Sequence, residues 1–243
     1  MKYVHFADHV MSNGVPEELI TLLDLSGSMN EDDWKPSRKA GAIKANIELI
    51  KVKAKHHPQD RVGIVGFGTE AQVLHQPVSL TNGTDALLKA LRNPASMGYT
   101  NFTAALQLAE SCLFGHSTHG QNTGANKGVV GFFSELLYGP LQQSSHHITE
   151  NATVSEAVKR LIMLTDSGHN TGRSPLSVAS RLKDAGVVID CIGIRGGPED
   201  VDQELLKEIA SRNPDGSIRY CFIGDQQTLI KKYESLAYHM RPV

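Results

Sequence analysis

The sequence predicts an α/β fold, a doubly wound and mostly parallel sheet with helices on both faces. Short apolar segments alternate along the 243-residue chain with longer amphipathic ones, which is the pattern of repeated strand and helix units. Several short segments, such as Val187-Val188-Ile189, carry β-branched apolar residues at consecutive positions. This composition is typical of strands that are covered by helices on both faces.

Six strands are predicted from the short apolar segments. In chain order they are Glu18–Leu23, Arg61–Phe67, Gln72–Val78, Arg160–Thr165, Val187–Ile194 and Ile218–Ile223. Strands that alternate with helices pair in parallel through right-handed crossovers. The link between the second and third strands is only Gly68-Thr69-Glu70. Because so short a link can form only a hairpin, the third strand is expected to be an antiparallel edge strand.

Six helices are predicted from the amphipathic segments. In chain order they are Trp34–His56, Asp85–Leu91, Thr103–Cys112, Pro175–Ala185, Val201–Ser211 and Gln226–Tyr238. Asp33 is the expected N-cap of the first helix, since Asp is a favoured capping residue. The face that this helix turns to the core is expected to consist of residues at three- and four-residue spacing. These residues are Ala40, Ile43, Ile47, Ile50 and Ala54.

One region interrupts the alternation of strands and helices. Residues 115–157 are rich in Gly, Asn, Gln, Ser, Thr and His, and they lie where a compact α/β link needs only a few residues. We interpret this region as an insertion that carries one short helix at Phe132–Tyr138. The insertion would belong to a single domain over residues 16–243, preceded by an N-terminal extension at 1–15.

Composition excludes several classes of protein. With 24 basic and 26 acidic residues the formal net charge is −2, which is unlike a non-specific nucleic-acid binder. The three cysteines are far apart and odd in number, so they encode neither a disulfide framework nor a CxxC site. No apolar run has the length of a membrane span, and the first residues lack the apolar core of a secretory signal. We therefore expect a cytoplasmic protein.

Oxygen-bearing side chains follow three of the predicted elements. Asp24-Leu25-Ser26-Gly27-Ser28 comes directly after the first strand, Thr100 precedes the third helix, and Asp166 ends the fourth strand. In a parallel sheet these positions share the carboxyl edge, where ligands bind. Two carboxylates and three hydroxyls suit Mg²⁺ first and Mn²⁺ second. Taken alone, the pentapeptide could equally be a turn in which Asp and Ser cap backbone groups.

These residues resemble the metal-ion-dependent adhesion site (MIDAS) of von Willebrand factor A (VWA) domains, which has the pattern Asp-x-Ser-x-Ser, then Thr, then Asp. The matching positions are Asp24, Ser26, Ser28, Thr100 and Asp166. The resemblance covers residues 16–238 apart from the insertion. It implies a Rossmann-like sheet with six helices, and a Mg²⁺ ion bound directly by the two serines and the threonine. The two aspartates would act largely through water, with Mn²⁺ and Ca²⁺ as alternative ions.

The resemblance also implies a function, that of a Mg²⁺-dependent protein-binding module of the adhesion or scaffold type without catalytic activity. A Glu or Asp of a partner protein would complete the coordination of the metal. Cytoplasmic relatives often act beside an ATPase or within a multi-protein complex, so such a partner is expected. The candidates for the surface that contacts it are Met29, Tyr99, Asn101, His169 and Asn170. Tyr99 and Ser167 stand where the family often has Gly, which alters the shape of this surface.

Two enzymatic functions are the alternatives. The first is a metal-dependent phosphohydrolase or phosphotransferase with Asp24 as the nucleophile. Such enzymes typically need a second carboxylate two residues later, and this chain has Ser26 there. The second is a serine hydrolase that uses Ser167 and His169, but the sequence lacks a GxSxG elbow.

Overall fold

The computed structural model of the protein describes residues 15–115, 157–195 and 201–238. These residues form six strands and six α-helices. The strands are β1 Glu17–Asp24, β2 Arg61–Phe67, β3 Ala71–Ser79, β4 Val158–Thr165, β5 Val188–Ile194 and β6 Tyr220–Ile223. The helices are α1 Arg38–His56, α2 Leu80–Ala90, α3 Phe102–Phe114, α4 Leu176–Asp184, α5 Gln203–Ile209 and α6 Gln226–Tyr238. A 3₁₀-helix at Gly27–Asn30 follows β1.

The six strands form one sheet in the order β3-β2-β1-β4-β5-β6. All neighbours are parallel except β3, which pairs with β2 in antiparallel orientation at the edge. This arrangement confirms the predicted fold class, including its edge strand. In the register of the central pair, Leu23 of β1 lies opposite Leu164 of β4. The loops that follow these two strands therefore leave the sheet side by side.

Helices cover both faces of the sheet. One apolar cluster joins the sheet to α1, α2 and α6, and the other joins it to α3, α4 and α5. In β1, Leu19 and Leu23 belong to the first cluster, whereas Ile20 and Leu22 belong to the second, and all four are buried. Successive side chains of a strand point to opposite faces, so a strand between two helical layers needs apolar residues at consecutive positions.

Helix α1 begins four residues later than the sequence pattern predicts. Its N-cap is Ser37, whose hydroxyl accepts a hydrogen bond from the backbone N of Ala40 at 3.2 Å. The prediction of Asp33 as the cap is therefore wrong. The Asp33 carboxylate instead accepts hydrogen bonds from the side chain of Arg38.

The buried face of α1 also differs from the predicted one. Of the predicted positions Ile50 is buried, and Ile43, Ile47 and Ala54 are partly buried and pack against the core. The buried face consists of Arg38, Gly41, Ala42, Ala45, Asn46, Leu49, Ile50 and Lys53. The helix packs against both the sheet and α6, so its buried face includes residues outside the predicted stripe.

Helix α2 begins at Leu80, five residues before its predicted start. Its N-cap Ser79 accepts a hydrogen bond from the backbone N of Thr81, which stabilises the first turn. Asn82 and Gly83 weaken the helical pattern in the sequence because both have low helix propensity. Gly83 is needed here, since a Cβ at this position would lie 2.3 Å from Val78.

The N-terminal extension and the insertion fall almost entirely outside the described residues, and so does the short helix predicted at Phe132–Tyr138. The extension, the insertion and the short helix therefore remain predictions. Within the three described ranges, none of the helices combines the length and hydropathy that a membrane span requires.

Candidate metal centre

Three loops at the carboxyl edge of the sheet carry the five predicted ligands. Asp24 is the last residue of β1. Ser26 directly precedes the 3₁₀-helix that follows this strand, and Ser28 lies within that helix. Asp166 comes directly after β4, and Thr100 lies two residues before α3. The backbone N of Gly27 donates to the carbonyl of Gly98 at 2.8 Å, which joins the first of these loops to the loop of Thr100.

A continuous chain of hydrogen bonds connects these side chains. The hydroxyls of Ser26 and Ser28 lie 3.1 Å apart, and the Ser28 hydroxyl donates to Oδ1 of Asp166 at 2.7 Å. On the other side, Thr165 donates its hydroxyl to Oδ2 of Asp24. Oδ1 of Asp24 accepts the backbone N–H of Ser26 at 2.7 Å. The structure thus brings the two serines and the two aspartates together at one edge of the sheet.

Thr100 joins the same group through Ser167. The two hydroxyls lie 2.9 Å apart, and Ser167 directly follows Asp166. The loop after β4 also holds the backbone of Thr100. Oδ1 of Asn170 accepts the N–H of Thr100 at 2.9 Å, and the carbonyl of Thr100 accepts the backbone N–H of Asn170. Thr165 and Ser167 were not among the predicted metal ligands. Their position on either side of Asp166 is the signal that identifies them.

The chemistry of the donor set fits a hard divalent cation. Within the described ranges, no three His, Cys, Asp or Glu side chains group closely enough to hold a metal by themselves, so a cation here would depend on hydroxyls as well as on carboxylates. Oxygen donors of this kind suit Mg²⁺, Mn²⁺ and Ca²⁺. Burial, and after it the charge of Asp166, raises the pKa of Asp24 to about 7. A cation between these carboxylates would relieve both effects.

Asp166 has a cationic partner inside the protein. The Arg38 guanidinium donates from Nη1 to Oδ2 of Asp166 at 2.9 Å and from Nε and Nη2 to the two oxygens of Asp33. Burial by itself lowers the pKa of Arg38, but the bonds to Asp33 and Asp166 outweigh it and raise that pKa further above its usual value. Sequence reasoning missed Arg38 because its partner Asp166 lies 128 positions further along the chain.

The loop after β2 and the loop before α3 approach each other closely at Gly68. Its carbonyl accepts the N–H of Asn101, and the carbonyl of Met97 accepts the N–H of Thr69. A Cβ on Gly68 would lie 2.3 Å from the carbonyl oxygen of Met97. Backbone atoms cannot yield at that distance without a shift of the segment that carries Thr100.

We therefore expect Gly68→Ala to weaken Mg²⁺ binding about 10-fold and to destabilise the protein by about 1–3 kcal/mol. Isothermal titration calorimetry with Mg²⁺ and urea unfolding in EDTA measure the two effects. Gly224→Ala is the control, since a Cβ there meets only an ordinary contact at 3.8 Å. Equal Mg²⁺ affinity of Gly68→Ala and the parent would show that this close approach does not position Thr100.

The five candidates for partner contact differ in their exposure. Tyr99 is 69% exposed beside Thr100, and Asn170 is also exposed. Asn101 caps α3 by accepting the N–H of Ala104, and Nδ1 of His169 accepts the N–H of Phe102, so both have structural contacts. Met29 is fully buried in the core, which contradicts its prediction as a contact residue.

The fold and the five side chains together define a Rossmann-like α/β domain with a candidate metal site at the carboxyl ends of its strands. Two family models, both described as the von Willebrand factor type A domain, match residues 19–135 and 139–232. The first match covers β2, β3 and all but the first two residues of β1, the second covers β4 to β6, and all six strands form one sheet. The chain belongs to the von Willebrand factor type A family, whose members are typically protein-interaction modules with a MIDAS metal.

Solved structures share this fold at low sequence identity. A von Willebrand factor type A protein from Catenulispora acidiphila has a TM-score of 0.63 at 17% identity, over 92% of this chain and 42% of that one. Proximal thread matrix protein 1 from the mussel byssus, with a zinc-occupied MIDAS motif, has a TM-score of 0.62 at 18% identity, over 92% and 47%. The SpRpn10 VWA domain has a TM-score of 0.59 at 19% identity, over 90% and 94%.

The chain thus spans less than half the length of the Catenulispora and mussel proteins. No significant match was found among curated protein sequences.

Proposed function

We propose that this protein is a Mg²⁺-dependent protein-binding module in which the metal captures a Glu or Asp side chain of a partner. The observation that carries the proposal is the chain of contacts that gathers Asp24, Ser26, Ser28 and Asp166 at one edge of the sheet, with Thr100 joined through Ser167. An ion held mainly by neutral hydroxyls keeps most of its charge, so it favours an anionic ligand from outside the protein. A partner carboxylate supplies that ligand.

Two further observations support this reading. A mussel protein of the same fold is described with zinc in its MIDAS motif, so this type of site accepts a divalent ion. The exposed ring of Tyr99 lies next to Thr100 and offers contact area to a partner beside the metal. Aromatic residues are enriched at protein interfaces for this reason. An ATPase or a component of a multi-protein complex is the partner that we propose.

The environment of Asp24 disfavours the phosphotransferase alternative. A carboxylate nucleophile needs an oxygen that a substrate can reach. Asp24 is fully buried, and both of its oxygens accept hydrogen bonds, from the Ser26 N–H and from the Thr165 hydroxyl. These contacts suit a residue that orients neighbouring groups and a hydrated cation.

Mg²⁺ binding is the first test of the proposal. We expect the parent to bind Mg²⁺ in isothermal titration calorimetry, and Ser26→Ala to weaken the affinity by at least about 10-fold because a metal-facing oxygen is lost. Ser177→Ala is the matched control, since this serine is exposed on α4 and is not one of the five candidate ligands. Equal binding by the parent and Ser26→Ala would contradict the proposed ligand set.

Partner capture is the second test. The protein is immobilised in Mg²⁺, exposed to a lysate and then washed with EDTA, so that metal-dependent partners are released. A partner identified in this way is made again with its surface Glu and Asp residues changed one at a time to Gln and Asn. We expect one such change to abolish binding, whereas binding that persists in EDTA and in Ser26→Ala would refute metal-mediated capture.

A further inference from the structure

A buried arginine links a loop carboxylate to one of the metal-site aspartates. Arg38 is only 4% exposed, and its guanidinium makes three hydrogen bonds. Nε and Nη2 donate to the two oxygens of Asp33 at 2.8 and 2.7 Å, and Nη1 donates to Oδ2 of Asp166 at 2.9 Å. The other oxygen of Asp166 accepts the Ser28 hydroxyl. Both oxygens of Asp166 are therefore held by the protein.

Asp33 fixes the plane of the guanidinium. A carboxylate that accepts two parallel N–H bonds from an arginine orients the planar group as well as binding it. Asp33 is itself oriented, since its Oδ1 also accepts the backbone N–H of Trp34 at 3.0 Å. With the plane set in this way, Nη1 donates to Asp166. The hydrogen bond from Arg38 lowers the pKa of Asp33, so this carboxylate is ionised at neutral pH.

Arg38 is the cation of a group with three carboxylates, those of Asp33, Asp166 and Glu31. Asp33 offsets the charge of Arg38, and the Glu31 carboxylate lies further from it, 3.8 Å from Nη2. Loss of the Asp33 charge would leave more of the Arg38 charge to act on Asp166, and this would oppose a divalent ion at the same carboxylate. Loss of the Asp33 contacts would also release the orientation of the guanidinium. Both effects weaken the binding of a metal.

We infer that Asp33 and Arg38 are positioning residues for the metal site, because Asp33 orients Arg38 and Arg38 holds the carboxylate of Asp166 in its metal-facing position. The inference rests on the proposed Mg²⁺ site and extends it to a residue of the neighbouring loop. Asp33 is 35% exposed, so a change there leaves the apolar core intact. The Mg²⁺ affinity of the site thus depends partly on Asp33 and Arg38, which are not metal ligands themselves.

Asp33→Asn tests the inference in the full chain with Mg²⁺ as the probe. We expect its Mg²⁺ affinity to be about 10-fold weaker in calorimetry, at a temperature where circular dichroism shows each variant to be folded. Asp32→Asn is the matched control. It removes the same charge from the same loop, but Asp32 pairs with Lys35 and does not contact Arg38. It should bind Mg²⁺ as the parent does.

Salt and a second variant separate positioning from charge. The effect of Asp33→Asn should persist at high salt, where interactions between exposed charges are screened. Arg38→Lys keeps the charge but loses the fork that reaches Asp33 and Asp166 together, so it should also weaken Mg²⁺ binding and alter the electron paramagnetic resonance spectrum of bound Mn²⁺.

Four outcomes would count against the inference. Equal losses in Asp33→Asn and Asp32→Asn would overturn it in favour of long-range charge, and parental affinity in Arg38→Lys would overturn the positioning role. A parent that binds Mg²⁺ together with an unaffected Asp33→Asn would overturn this inference alone. A parent that does not bind Mg²⁺ would overturn the proposed function with it.

Discussion

Replacing Lys53 by Met is expected to lower the free energy of unfolding by about 3–5 kcal/mol, because it leaves two buried carboxylates without their cation. Lys53, Glu17 and Asp60 are all buried. Nζ of Lys53 donates to Oε2 of Glu17 at 2.7 Å and to Oδ2 of Asp60. Oδ1 of Asp60 also accepts the backbone N–H of Glu17 at 2.8 Å, so the cluster fixes the start of β1. Urea unfolding measures the loss.

This cluster lies at the edge of the sheet opposite the candidate metal centre. Glu17 is the first residue of β1, and its Oε1 lies 3.6 Å from Nη1 of Arg160 in β4. Arg160 donates to Asp190 of β5, which also accepts from Arg219 just before β6. The loss of Lys53 therefore destabilises the amino-terminal edge of the sheet. Mg²⁺ affinity of the folded protein should not change.

Two variants control for this interpretation. Lys51→Met removes an exposed lysine of the same helix, which pairs only with Glu48, and should change the stability by less than about 1 kcal/mol. Glu17→Gln added to Lys53→Met should recover part of the loss, since it removes one of the two uncompensated charges. A Lys53→Met protein as stable as the parent would show that the buried charges are neutralised in another way.

The fold was predictable where a local pattern decides the structure. A link of three residues between β2 and β3 permits only a hairpin, so the antiparallel edge could be inferred from Gly68-Thr69-Glu70 alone. The start of α1 was not predictable in this way. Asp33 and Ser37 are both good N-caps, and the choice depends on Arg38, whose guanidinium engages both oxygens of Asp33, whereas the Ser37 hydroxyl caps the helix. That contact belongs to the folded state.

In the candidate site, too, some residues could be predicted from the sequence and others could not. The five oxygen donors could be predicted because each lies at the end of its own element, and parallel strands bring such ends together. Arg38 was missed although the sequence holds a signal for it. A cation in the first turn of a helix is disfavoured by the helix dipole, so an arginine there needs an anion from elsewhere, and Asp166 supplies it. Met29 was misplaced because the 3₁₀-helix after β1 turns its side chain into the core.

Asp24→Asn is expected to stabilise the protein in EDTA at about pH 8 while abolishing its stabilisation by Mg²⁺. Burial, and after it the charge of Asp166, raises the pKa of Asp24 from 3.8 to about 7. A raised pKa means that the folded state binds the proton more tightly than the unfolded state does. The stability linked to this group is therefore present below the unfolded value and is lost as the pH rises through about 7. At about pH 8 the loss is on the order of 4 kcal/mol.

An asparagine can satisfy the contacts of Asp24 without its charge. Its carbonyl oxygen can accept the Ser26 N–H, and its NH₂ group can face Thr165, whose hydroxyl is then free to donate to the carbonyl of Ser167 at 3.2 Å. Thermal unfolding at several pH values, in EDTA and in Mg²⁺, measures the difference from the parent. In EDTA the advantage of Asp24→Asn should shrink towards about pH 5, where the parent carboxyl is protonated. An Asp24→Asn protein less stable than the parent in EDTA at about pH 8 would show that the hydrogen bonds of the carboxylate outweigh the penalty for its burial.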